Sequence, residues 1–229
     1  MLDIYYKIGF SVCHQLKSHS IIIDGTKMPL DGRCTGMYLG FFISCVYLIH
    51  LTRLRKESSF PKAYVLIPGA IAFLLFALDG LTSYMLIRTT TNSIRLATGL
   101  GIGFAGSLVL IPVFNQYLFK NPSDKRMLDN PMDIIKFIAI YLLIYVLVNS
   151  QIKLLQYLLP TAIILSLIGT FWLLNVLILA TFPKWFRRID SVLQLRQHGI
   201  LAGIMTITEL MLTYQLHRYL VRLVGLADV

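Results

Sequence analysis

"DGRCTGMYLGFFISCVYLIHL" occupies residues 31–51, and its two halves ask for different surroundings. From Thr35 to Leu51 no Asp, Glu, Lys or Arg interrupts the run. Such a stretch approaches the roughly 20 apolar residues a helix needs to cross a ~30 Å hydrocarbon core. Ahead of it stand Asp31, Arg33 and Cys34, a charged and nucleophilic cluster where a membrane helix would begin. Five more apolar stretches lie downstream: Ala63–Ile87, Ile94–Phe119, Ile134–Val148, Leu155–Phe182 and Ile200–Leu220. The expected fold is therefore all-α, a polytopic bundle of about six transmembrane helices over residues 35–229. Residues 1–34 form a separate N-terminal segment ahead of it.

Composition agrees. Hydrophobic residues make up 56% of the 229 and charged residues only 14%, where a soluble domain carries about a quarter. The mean hydropathy is +0.71. A formal net charge of +10 would suit nucleic acid, but the basic residues fall in short clusters between apolar runs. Positive-inside bias and anionic headgroups account for that pattern, and no nucleic-acid partner is expected. Three cysteines are too few for a disulfide scaffold. The start "MLDIYYKIGF" lacks the basic n-region of a cleaved signal, so the N-terminus is expected to be retained.

Basic residues also set the expected orientation. The first, third and fifth connections carry Arg53, Arg55, Lys56 and Lys62; Lys120, Lys125, Arg126 and Lys136; and Lys184, Arg187, Arg188 and Arg196. The second and fourth carry fewer. These connections are expected in the cytoplasm, with both termini outside the cytoplasmic membrane. Within the fifth, Trp185, Phe186, Ile189 and Val192 oppose arginines, the pattern of an interfacial amphipathic helix. "GIGFAG" (101–106) formally matches a dinucleotide fingerprint but lies inside an apolar segment with no preceding strand. Gly99, Gly103 and Gly106 instead suit close approach of a neighbouring helix.

Polar chemistry gathers at the expected outer face. "CHQ" (13–15) precedes Asp24-Gly25, a tight-turn signal that would fold a hairpin and return Cys13 and His14 towards Asp31 and Cys34. Asp79 falls roughly 24 Å from the inner end of its helix, in the outer leaflet, near Arg88, Asn92 and Arg95. Charges at such depth occur paired or in a water-filled cavity.

"CHQ", "RCTGMYLG", "DG" and "TNSIRLATG", over about residues 10–106, resemble the DUF2085 family of prokaryotic integral membrane proteins. The family's second motif usually reads cysteine-x-arginine-cysteine; here Asp31 stands at the first cysteine. The resemblance implies that these positions belong together and carries no activity with it.

Three readings of the cluster stay open. Cys13, His14, Asp31 and Cys34 form a donor set acceptable to Zn²⁺. Alternatively Cys34 is a nucleophile with His14 as base and an arginine stabilising developing charge. In the third, Cys13 and Cys34 form a disulfide, and Asp79 pairs with Arg95. Separately, Thr206, Glu209, Thr213 and His217 follow helical spacing, with Glu209 roughly 15 Å deep, near the bilayer midplane. Glu209 is a proton relay, or a protonated carboxyl bonded to a neighbour such as Asn175.

The favoured expectation is a metal-dependent or thiol-based membrane enzyme acting on a lipid or lipid-linked substrate. Cys34, His14, Asp79 and Glu209 would do the chemistry, and Arg33, Arg88, Asn92 and Arg95 would hold the anionic group. The alternative is a proton-coupled transporter or channel using Glu209, with the cysteines structural.

Overall fold

The computed structural model describes residues 2–52, 56–85, 88–182 and 196–223. Its elements in chain order are α1 (Leu2–Phe10), β1 (Ser20–Ile23), β2 (Thr26–Asp31), α2 (Gly32–Thr52), β3 (Glu57–Ser59), α3 (Ala63–Tyr84), α4 (Asn92–Leu118), β4 (Ser123–Arg126), α5 (Pro131–Asn149), α6 (Leu155–Ala180) and α7 (Arg196–Leu223). Six of the helices, α2 to α7, are long and apolar enough to cross a membrane, as the apolar runs require. Among the described residues the fold is all-α apart from two small strand pairs. The amphipathic stretch containing Trp185 and Arg188 lies outside the described residues.

Two boundaries move for local reasons. Helix α2 begins at Gly32, before Thr35, because the Asp31 carboxylate accepts the Cys34 amide at 2.7 Å and caps the first turn. Pro131 opens α5 three residues before the apolar run, with the Asn130 side chain accepting from the Met132 amide at 3.1 Å. The α1 helix and the β3–β4 pair are additions that the hydropathy pattern alone did not indicate.

Helix α4 is the hub. It packs most extensively on α2 and also touches α3, α5 and α6, while α7 rests on α6 and α1. The α2–α4 seam depends on backbone proximity. A β-carbon on Gly99 would collide with the Arg33 carbonyl oxygen, and one on Gly36 with that of Leu96. The close approach expected of the α4 glycines is thus present, and α2 supplies matching glycines of its own.

Strands β1 and β2 form the expected hairpin, pairing Ser20 with Asp31 and Ile23 with Thr26. Asp24 and Gly25 carry the positive φ angles, +48° and +78°, that such a tight turn needs. Met28, Leu30 and Ile23 are fully buried beneath it. At the other end, β3 and β4 pair in parallel, joining the first and third connections between spans. The Asn115 amide donates to the Glu57 carbonyl at 2.7 Å and to the Thr52 hydroxyl at 3.2 Å, tying this clasp to α4.

The two ends are therefore distinct. The hairpin shares one end with the start of α4, where Asn92 donates to the Ser20 carbonyl at 2.9 Å, and with the start of α6, where Gln156 bonds Asp24 and Thr26, each at 3.2 Å. The first and third connections share the opposite end. This is the alternation that the basic residues require.

Candidate functional site

The hairpin end holds the polar cluster, and it starts with the turn after α1. Gln15 has a positive φ of 54°, and its side-chain amide donates to the carbonyls of Tyr6 at 2.7 Å and Pro29 at 2.8 Å. That residue ties the turn to the hairpin and fixes Cys13, which is 2% exposed, against the bundle. The Cys13 sulfur accepts from the Gln15 amide at 3.5 Å and the Asp31 amide at 3.4 Å.

Cys13, Asp31 and Cys34 come together: one donor atom from each, two sulfurs and a carboxylate oxygen, lies within 4.8 Å of the others. Cys34 sits in the first turn of α2, its amide held by the Asp31 carboxylate. One Asp31 oxygen, Oδ1, caps the helix by accepting the Cys34 amide. All three cysteines are free thiols in this structure, Cys45 being packed in the core.

His14 does not join this group. Its exposed ring meets His217 of α7 edge-on, with centroids 4.9 Å apart. Cys13 faces the bundle and His14 faces α7, so adjacency in sequence did not become adjacency in space.

The arginines are already committed. Arg33 pairs with Asp79 through its terminal nitrogen at 2.5 Å and its Nε at 3.1 Å, and it also donates to the Asp79 carbonyl. The Asp79 carboxylate, expected to pair with Arg95, pairs with Arg33. The second carboxylate oxygen of Asp79 is buried without a hydrogen-bond partner. Arg95, 6% exposed, donates to Asn92 at 3.2 Å and to the Ser83 hydroxyl at 3.3 Å. Asn92 thus braces Arg95 and the hairpin. Arg88 is exposed, away from these contacts.

His19 is the residue that sequence reasoning passed over. Its pKa is lowered, first by burial and then by Arg95 and Arg33, with Asp31 opposing. Its place follows from the hairpin closing back over the start of α4, which residue spacing alone does not reveal.

Glu209 stands apart on α7. Asn175 of α6 donates to its carboxyl at 2.9 Å and to Thr206 at 3.1 Å, forming a polar seam between the last two helices. Asn175 was one of the neighbours expected for a hydrogen-bonded Glu209.

The profile of a family described as "Predicted membrane protein (DUF2085)" matches residues 13–109. Over 115 residues the chain is 30% identical to an uncharacterized protein, MJ1492, of Methanocaldococcus jannaschii, covering 50% of this chain and 71% of that one. Over 99 residues it is 32% identical to an uncharacterized protein of Methanothermobacter thermautotrophicus, covering 41% and 81%. No solved structure matches. The family match begins at Cys13 and takes in Asp31, Cys34, Asp79 and Arg95, and it ends within α4, before Asn175 and Glu209.

Proposed function

We propose, on the premise that the chain belongs to the DUF2085 family of membrane proteins, that Cys13, Asp31 and Cys34 hold a divalent metal ion, Zn²⁺ by ligand chemistry. The observation that carries this is the convergence of the three donors within 4.8 Å. Sulfurs in a tetrahedral site lie about 3.8 Å apart when each Zn–S bond is ≈ 2.3 Å, so small side-chain rotations close the group around an ion. Two backbone amides, those of Gln15 and Asp31, point at the Cys13 sulfur, and Asp31 is held beside Cys34 by accepting its amide. Two thiolates, a carboxylate and Zn²⁺ sum to one negative charge, which Arg33 and Arg95 nearby offset.

Three protein ligands leave a fourth position open, the arrangement of catalytic zinc, where the ion lowers the pKa of bound water. The reading is a metal-dependent membrane enzyme acting on an anionic lipid or lipid-linked substrate. Arg95 would orient the acidic group, held in place by Asn92 and Ser83. The hairpin end would face outward from the cytoplasmic membrane, as the basic residues of the opposite end require. The thiol-enzyme alternative is less well supported, because His14 faces α7 instead of Cys34.

Elemental analysis of protein purified without chelators tests the centre. The expected result is one zinc per chain, falling below a tenth of that in Cys34→Ser and in Cys13→Ser. Zinc absent from the unaltered chain, or undiminished in both variants, rules the centre out.

A further inference from the structure

A cleft of ≈ 320 Å³ separates the turn after α1 from the outer end of α7. Ser11, Val12, His14, Thr213, Leu216 and His217 line most of it. Its polar groups have one property in common. The Ser11 hydroxyl donates to the Ile8 carbonyl at 2.6 Å, and the Thr213 hydroxyl donates to the Glu209 carbonyl at 2.9 Å. Both protons are spent on the backbone, and what remains on each oxygen is lone pairs.

His217 repeats the pattern. Its Nδ1 lies 2.5 Å from the Phe10 carbonyl oxygen. A carbonyl only accepts, so Nδ1 carries the proton, and Nε2 of the neutral ring holds a lone pair. That Nε2 is buried with no hydrogen-bond partner. Phe10 also stacks on the ring at 4.1 Å with planes 3° apart, which locks its orientation. A histidine whose other nitrogen donates to a backbone carbonyl is the arrangement that orients imidazole ligands towards metals. His14, exposed on the facing turn, supplies a second imidazole with its centroid 4.9 Å away. Two imidazoles on one ion at M–N distances of 2.0–2.1 Å place their centroids roughly 4.5–5.5 Å apart. No basic side chain lines the cleft.

From this we infer that His14 and His217 form a second metal site, separate from the thiol centre, for a borderline divalent ion such as Ni²⁺, Cu²⁺ or Zn²⁺. Imidazole nitrogen suits these ions, and the lone pairs of Ser11 and Thr213 suit water molecules completing the shell. The site does not depend on the thiol centre, and it bridges the N-terminal segment to α7, the two parts of the chain furthest apart in sequence.

The test uses the full chain, carrying an affinity tag free of histidine, in a Cys13→Ser, Cys34→Ser background that silences the thiols. Titration with Ni²⁺ should give one ion per chain, and Cu²⁺ should give an electron paramagnetic resonance spectrum split by two nitrogens. His217→Gln keeps an amide donor for the Phe10 carbonyl, though not the ring stack. It should weaken Ni²⁺ binding at least tenfold, as should His14→Ala, whereas His50→Ala should not. Failure of the double-serine protein to bind Ni²⁺, or unchanged affinity in His217→Gln, overturns the inference. Neither outcome bears on zinc at Cys13 and Cys34, which the unaltered chain reports independently.

Discussion

Asp31 does two jobs with two oxygens. One accepts the Cys34 amide and starts α2; the other is proposed to meet a metal. Substitutions separate these duties. Asparagine caps helices about as well as aspartate but is a poor anionic ligand, so Asp31→Asn should keep the thermal midpoint while losing zinc. Asp31→Ala should lose both, with a stability cost of about 1 kcal/mol. Parallel melting and metal analysis check this; equal zinc in Asp31→Asn would remove the carboxylate from the ligand set. The meeting of Cys13, Asp31 and Cys34 was legible in the sequence because Asp24-Gly25 dictates a hairpin, and a hairpin brings its flanks together. The direction of His14 was not legible, since it depends on the irregular turn after α1 and on where α7 docks.

Among the elements, α3 leans mainly on a single neighbouring helix. Its main packing is on α4, and the Arg33–Asp79 pair is its polar bond to α2. Both side chains are well shielded, 15% and 5% exposed, so removing one partner strands the other in a low-dielectric setting. Asp79→Ala should therefore destabilise the protein by about 3 kcal/mol or more, and Arg33→Met with Asp79→Leu should recover most of the loss. Thermal unfolding in detergent measures both; a double variant no better than Asp79→Ala would show that the pair does not anchor the helix. Span positions were legible because uninterrupted apolar runs have few other uses. Lateral packing was less so, since the faces of α2 that meet lipid and those that meet α4 are equally apolar. The helix glycines were the one sequence signal of that seam, read on α4 and overlooked at Gly36.

For the molecule as a whole, contacts now fix which connections share an end. The hairpin turn and the starts of α4 and α6 lie together, opposite the β3–β4 clasp. The proposed orientation, from the basic residues, puts the clasp in the cytoplasm. Single cysteines introduced at Asp24 and at Lys125, in a chain otherwise lacking cysteine, should label oppositely with a membrane-impermeant maleimide in intact cells. Asp24→Cys is expected to react and Lys125→Cys to stay protected until the cells are opened; the reverse would invert the topology and put the thiol centre on the cytoplasmic side.

The clasp also imposes an order on biosynthesis. Glu57 and its partner Ser123 are separated by two membrane crossings, α3 and α4, that must be inserted before the second strand exists. Until then the first strand waits with its hydrogen bonds unmade, and α2 waits for the glycines of α4. The first three spans can therefore lock together only when the ribosome has passed residue 126. A nascent chain halted earlier would hold α2 and α3 in the bilayer as separate helices, while one long enough for residue 126 to have left the ribosome should resist protease at the clasp.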